Sequence, residues 1–117
     1  MKPFLLSVLF ASSALLANSQ NVATLSSGKY EVKTKATSKW DKGDVILLDD
    51  SHYRLSSNSE IGEYRFSAAA QRVFFTSGPL KSAFTKVALK NNQAVIIFPP
   101  EKNQDLGLAT EVWASKQ

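Results

Sequence analysis

From Lys29 to Ala36 the chain alternates one residue at a time. Tyr30, Val32 and Thr34 fall on one side; Lys29, Glu31, Lys33 and Lys35 fall on the other. A period of two is the pattern of a strand with one buried face and one wet face. The alternation returns at His52–Ser56, where Tyr53 and Leu55 oppose His52 and Arg54. It returns again at Glu63–Ser67, where Tyr64 and Phe66 oppose Glu63 and Arg65. Apolar runs without strict alternation occupy Asp44–Leu48, Arg72–Thr76 and Ala94–Phe98, with weaker strands at Phe84–Leu89 and Leu108–Ala114. Turn signals separate them: Asp49-Asp50-Ser51, Ser77-Gly78-Pro79, Asn91-Asn92 and Pro99-Pro100. Ala68-Ala69-Ala70-Gln71 is too short to hold a helix by itself and reads as a hairpin connection. No stretch carries a 3.6-residue apolar repeat. Short strands with turns every eight to twelve residues or so predict an all-β domain: a single antiparallel meander of about eight strands, closed as a barrel or stacked as a sandwich.

Ahead of that domain lies an export pattern. Lys2 supplies a positive start, Phe4 to Leu16 an apolar stretch, and Ala17-Asn18-Ser19 small residues at the positions flanking a cleavage site. Residues 1–19 are therefore expected to be a signal peptide and 20–117 a single mature β domain, periplasmic or secreted. The apolar stretch falls short of the roughly 20 residues of a spanning helix, and no cysteine is present to carry a lipid anchor. Removing residues 1–19 from the 117 leaves 98, enough for one core and too few for two. Small exported domains often use disulfides to offset a thin core. This one has no cysteine, so packing and strand pairing must hold it, and thiol catalysis and Cys-ligated zinc are ruled out.

The full chain carries 14 basic and 10 acidic residues. This mild excess permits contact with anionic surfaces, but it lacks the concentrated basic stripe expected of a nucleic-acid binder. Lys29, Lys33, Lys35, Arg54 and Arg65 share the outward faces of the first, third and fourth predicted strands. They would form a basic sheet face, interrupted by Glu31 and Glu63, if those strands were neighbours. Such a face is either solvated, with cross-strand ion pairs of small worth, or a surface for anionic envelope polymers or lipid head groups.

Two segments resemble a known pattern. Gly62-Glu63-Tyr64-Arg65-Phe66-Ser67-Ala68-Ala69, followed by Val73-Phe74-Phe75-Thr76-Ser77-Gly78-Pro79-Leu80, is similar to small exported bacterial β proteins of unknown function. In those proteins a Gly-x-Tyr strand turns into a strand ending Ser-Gly-Pro-Leu. Upstream, Ser51 and His52 stand where the pattern has a glycine turn. The resemblance spans about a third of the chain. It implies a hairpin and a bacterial envelope setting, and no activity. The meander is also lipocalin-like in style, an analogy of fold that carries no function. Gly28-Lys29-Tyr30-Glu31-Val32 echoes Gly62-Glu63-Tyr64-Arg65-Phe66, which reads as two strands each opening after a glycine turn.

Candidate chemistry is sparse. His52 is the only histidine and stands beside Asp49 and Asp50, so a small hydrolase site could be drawn there. Adjacent aspartates point apart when extended, however, and the segment reads equally as a polar hairpin turn. No Gly-x-Ser-x-Gly elbow accompanies a Ser-His-Asp set. Glu31, Glu63 and Glu111 read as outward strand residues rather than paired carboxylates in a cleft. No catalytic residue, metal ligand or cofactor is assigned. Trp40 lies in the charged loop Ser38-Lys39-Trp40-Asp41-Lys42, as a ligand contact or a lid over one end of the core. The leading expectation is a non-enzymatic binding or interaction module whose inner face carries Tyr30, Tyr53 and Tyr64. Eight strands can enclose a filled core or one small apolar ligand, and buried tyrosine hydroxyls require partners. The alternative is a secreted hydrolase with a site near Asp49, Asp50 and His52.

Overall fold

A computed structural model describes residues 21–34, 42–108 and 110–117. The fold is all-β. Its strands are β1 (Gly28–Thr34), β2 (Val45–Leu47), β3 (His52–Leu55), β4 (Gly62–Ser67), β5 (Arg72–Phe75), β6 (Lys86–Lys90), β7 (Gln93–Phe98) and β8 (Val112–Lys116). They form one antiparallel sheet in the order β5-β4-β3-β2-β1-β8-β7-β6, nearly closed into a barrel. Every neighbour in that order is a neighbour in sequence except β1 and β8. These two join the ends of the meander through the register Tyr30↔Lys116 to Thr34↔Val112.

The predicted parity is the observed one. Tyr30, Tyr53, Leu55, Tyr64, Val73 and Phe75 are buried, while Lys29, Lys33, Glu63 and Arg65 are exposed. Inside, the Phe75 ring is the hub. Tyr53 meets it edge-on with centroids 4.7 Å apart, and Phe98 stacks on it at 6.2 Å. Tyr64 lies tilted at 6.5 Å. Fully burying an aromatic ring contributes on the order of 1.5–3 kcal/mol, so this cluster is a substantial part of what holds a domain without disulfides.

The turns follow from their residues. Asn91 and Asn92 both take positive φ (53° and 65°), which fits the twist of a two-residue β6–β7 hairpin. Gly62 and Gly78 are glycines for a different reason: their backbones touch. A Cβ on Gly78 would lie 2.6 Å from the Gly62 Cα, and one on Gly62 would lie 2.6 Å from the Tyr53 ring and collide with the Ser77 carbonyl.

Most strand ends shift by a residue or two from the sequence reading, and three of the shifts have a clear cause. The last strand begins at Val112 rather than Leu108, because single 3₁₀ turns at Pro100–Lys102 and Gln104–Leu106 carry the chain to Gly107, which ends them at φ 63°. Glu111 therefore precedes β8, where it accepts the Trp113 indole N–H at 2.8 Å. Strand β6 begins at Lys86 rather than Phe84, because Phe84 and Thr85 spend hydrogen-bonding groups on side chains instead of a neighbouring strand. Asp44 stands outside β2 and caps it. Its carboxylate accepts the Val32 N–H at 3.1 Å, and its own N–H donates to the Ser56 hydroxyl at 2.8 Å.

Candidate functional site

The β2–β3 hairpin brings Asp49, Ser51 and His52 together, and the β3–β4 pairing sets Glu63 opposite His52. Asp49 Oδ1 accepts the backbone N–H groups of Ser51 (2.9 Å) and His52 (2.8 Å), so the turn is an Asx turn built on its carboxylate. The same oxygen lies 2.9 Å from His52 Nδ1, and the Ser51 hydroxyl lies 3.1 Å from that nitrogen. These contacts hold the Asp49 carboxyl below its ordinary pKa, chiefly through the Ser51 N–H and then through the imidazole. A serine triad needs the hydroxyl on one ring nitrogen and the carboxylate on the other. Here both converge on Nδ1, while Nε2 faces the Glu63 carboxylate at 4.0 Å. Asp50 makes no hydrogen bond or ion pair with His52, whose ring partners are Asp49, Ser51 and Glu63. Among the described residues, no group of three or more His, Asp or Glu is set to hold a metal ion.

The tyrosines reach from the core to the loops. Tyr30 donates to the Ser26 carbonyl at 2.8 Å, and Tyr64 donates to the Asp49 carbonyl at 2.7 Å. Tyr53 donates to the Ser77 carbonyl at 2.8 Å and accepts the Leu80 N–H at 2.7 Å. Burial pushes the phenols of Tyr53 and Tyr64 up to about 12, and that of Tyr30 upward as well. Each hydroxyl thus fastens a loop to the barrel wall. No buried side-chain nitrogen or oxygen among the described residues lacks a partner. Trp40 lies outside the described residues.

The expected basic face is divided. Strand β2 separates β1 from β3, so Ile46 stands between Lys29 and Arg54. Lys29 pairs with Asp44 at 3.4 Å and Lys33 with Glu31 at 3.8 Å. Arg54 turns back onto the carbonyl of Leu55 at 3.1 Å. Lys35 lies outside the described residues.

A different cationic feature occupies the seam where β5 and β6 fail to pair. The Thr85 hydroxyl stands in for a strand there, accepting the Val73 N–H (2.9 Å) and donating to the Val73 carbonyl (2.7 Å). The Asn103 amide does the same for Phe84: its Oδ1 accepts the Phe84 N–H at 2.7 Å and its Nδ2 donates to the Phe84 carbonyl at 3.0 Å. Gln71 clips Val22 across one end of the barrel through paired 2.8 Å bonds. Over the seam the Arg72 guanidinium lies against two rings, 4.5 Å from the Phe74 centroid and 4.0 Å from that of Phe84. Its Nε donates to the Thr85 carbonyl at 3.2 Å. Lys102 Nζ is 5.8 Å from the Phe84 ring, and Arg65 is the cross-strand partner of Phe74. Arg72 and Phe74 share a strand face two residues apart, which the sequence displays. Phe84 and Lys102 join them only through the Asn103 clamp, for which the sequence offers no signal.

Two surface depressions accompany these features. One, of about 420 Å³, lies between Lys81–Ala83 and Glu101–Leu106. The other, of about 310 Å³, is lined by Asn21–Thr24, Ser26, Leu89, Asn92–Ala94 and Lys116. Neither is lined by the aromatic cluster around Phe75. Comparison with family models, curated proteins and solved structures found no match.

Proposed function

We propose that this chain is a non-enzymatic, exported binding or interaction module that meets its partner with its outer surface. The observation that carries the reading is the use made of Tyr30, Tyr53 and Tyr64. They fill the interior, and every hydroxyl is bonded to loop backbone. A small apolar ligand inside would have to displace them. The export pattern of residues 1–19 and the resemblance to envelope β proteins support the setting. The hydrolase reading is weaker, because His52 Nδ1 receives both Ser51 and Asp49.

Residue-specific NMR tests this directly. Methyl resonances of Val73, Ile96 and Val112 are expected to stay fixed when a medium-chain fatty acid is added. Saturable shifts would restore an internal ligand site. Chromogenic esters and glycosides should not be turned over above the buffer rate. Turnover abolished by His52→Ala would replace the binding reading with the enzymatic one.

A further inference from the structure

The seam carries cations and rings in alternation: Lys102, Phe84, Arg72, Phe74, Arg65. Its centre is unusually fixed for a surface arginine. The rings cover the guanidinium, and Nε is held by the Thr85 carbonyl, whose own residue is tied to Val73. Among the described residues no group hydrogen-bonds to its two Nη atoms, and no fully buried side-chain nitrogen lacks a partner, so the Nη edge reaches solvent. A guanidinium presented this way is a planar fork suited to a carboxylate or phosphate. Lys102 and Arg65 flank it, and among the described residues neither makes an ion pair.

We infer that this strip is a binding site for a linear anionic glycan. Carboxylate or phosphate groups along the glycan meet the Arg72 fork and the flanking Arg65 and Lys102. The apolar faces of its sugars lie along the exposed part of Phe74 that Arg72 leaves uncovered. Repeating charge matches a line of cations better than a single small anion does. The rings argue against single-stranded nucleic acid, whose bases stack on free aromatic faces, since Arg72 already lies over both Phe74 and Phe84. They argue against a lipid surface as well: Phe74 is only 37% exposed and carries the Arg72 guanidinium 4.5 Å from its ring centroid. The inference rests on the reading of the protein as a surface-acting binding module and names the class of its ligand.

The test is calorimetric titration of the purified full chain with a phosphomannan, polygalacturonate, neutral dextran, single-stranded DNA and anionic phospholipid vesicles. Binding to one or both anionic polymers and not to dextran is expected, weakening as salt screens the charges. The polymer that binds distinguishes phosphate from carboxylate. Arg72→Lys keeps the charge and loses the fork, so affinity should fall by roughly 10-fold or more. Arg65→Ala and Lys102→Ala, at exposed positions, should each weaken binding with an unchanged melting temperature, which separates the site from the seam's structural role. Equal affinity in Arg72→Lys and in both alanine variants would overturn the strip as the site while leaving the module reading intact. Preference for DNA or vesicles, or no binding to either anionic polymer, would overturn the glycan. The fatty-acid and hydrolysis experiments judge the module reading independently.

Discussion

The barrel is closed twice, by different means. Between β1 and β8 it is closed by a backbone ladder, in an antiparallel register from Tyr30↔Lys116 to Thr34↔Val112. Between β5 and β6 one backbone bond, Val87 N–H to the Gln71 carbonyl at 2.8 Å, is joined by side chains: Thr85 on Val73, Arg72 on Thr85. A backbone ladder tolerates nearly any outward side chain, because its hydrogen bonds belong to the main chain. A side-chain seam places that task on particular residues and buries them; Thr85 is 0% and Asn103 4% exposed. The same residues fix Arg72 and Phe84 on the outer wall, so the surface feature proposed to bind is a by-product of how the sheet closes.

The strongest challenge to both closures is alkali. Tyr53 and Tyr64 titrate near 12 in the folded protein and near 10 when unfolded. Their folded-state pKa is raised, so their stabilisation is complete below about 10 and is lost as pH climbs through about 12. Tyrosinate absorbance should therefore rise late and together with loss of the folded signal. Tyrosinate formed near pH 10 in a chain still folded would show that these hydroxyls are not buried as described.

Removing the Thr85 hydroxyl comes next. Thr85→Val keeps the shape and leaves the Val73 N–H and carbonyl buried without partners, a loss of about 2–4 kcal/mol in urea denaturation. Asn103→Leu should follow at about 2–3 kcal/mol by the same logic at Phe84, and it should loosen the Arg72–Phe84 stack. Gln71→Ala, which frees Val22, should cost about 1 kcal/mol. On the ladder-closed side, Lys33→Ala should stay within about 0.5 kcal/mol. Equal sensitivity of the two sides would remove the distinction.

The sequence discloses the ladder-closed side far better than the seam. Tyr30 and Val32 against Lys29 and Lys33, or Tyr53 and Leu55 against His52 and Arg54, declare their faces by period alone, and the strands follow. The Asp49–Ser51 turn and the Asn91-Asn92 hairpin are equally readable, because their residues favour those conformations intrinsically. Asn103 is different. It sits in the polar run Glu101-Lys102-Asn103-Gln104-Asp105, which reads as solvated loop, yet its amide is buried against Phe84. Thr85 looks like an ordinary strand residue and acts as a replacement for a strand. Partners that meet through long loops leave no periodic trace, so the Arg72–Phe84–Lys102 arrangement was not legible, whereas the shared face of Arg72 and Phe74 was. The parities of Lys29, Lys33, Arg54 and Arg65 are legible, but strand order is not: β2 separates Lys29 and Lys33 from Arg54 and Arg65, and Lys29, Lys33 and Arg54 are each partnered.

Amide hydrogen exchange at Val73 decides the matter most directly, compared across the parent chain, Thr85→Ser and Thr85→Val, with the Glu31 amide, opposite Ser115 on the β1–β8 ladder, as an internal reference. If the Thr85 hydroxyl is the seam's hydrogen-bond partner, Thr85→Ser keeps the Val73 amide protected. Thr85→Val then exposes it selectively, with Glu31 slowed to nearly the same degree as in the parent under conditions where all three chains are folded. Equal protection of Val73 in Thr85→Val and Thr85→Ser would contradict the account, since backbone pairing or packing alone would then be closing the barrel.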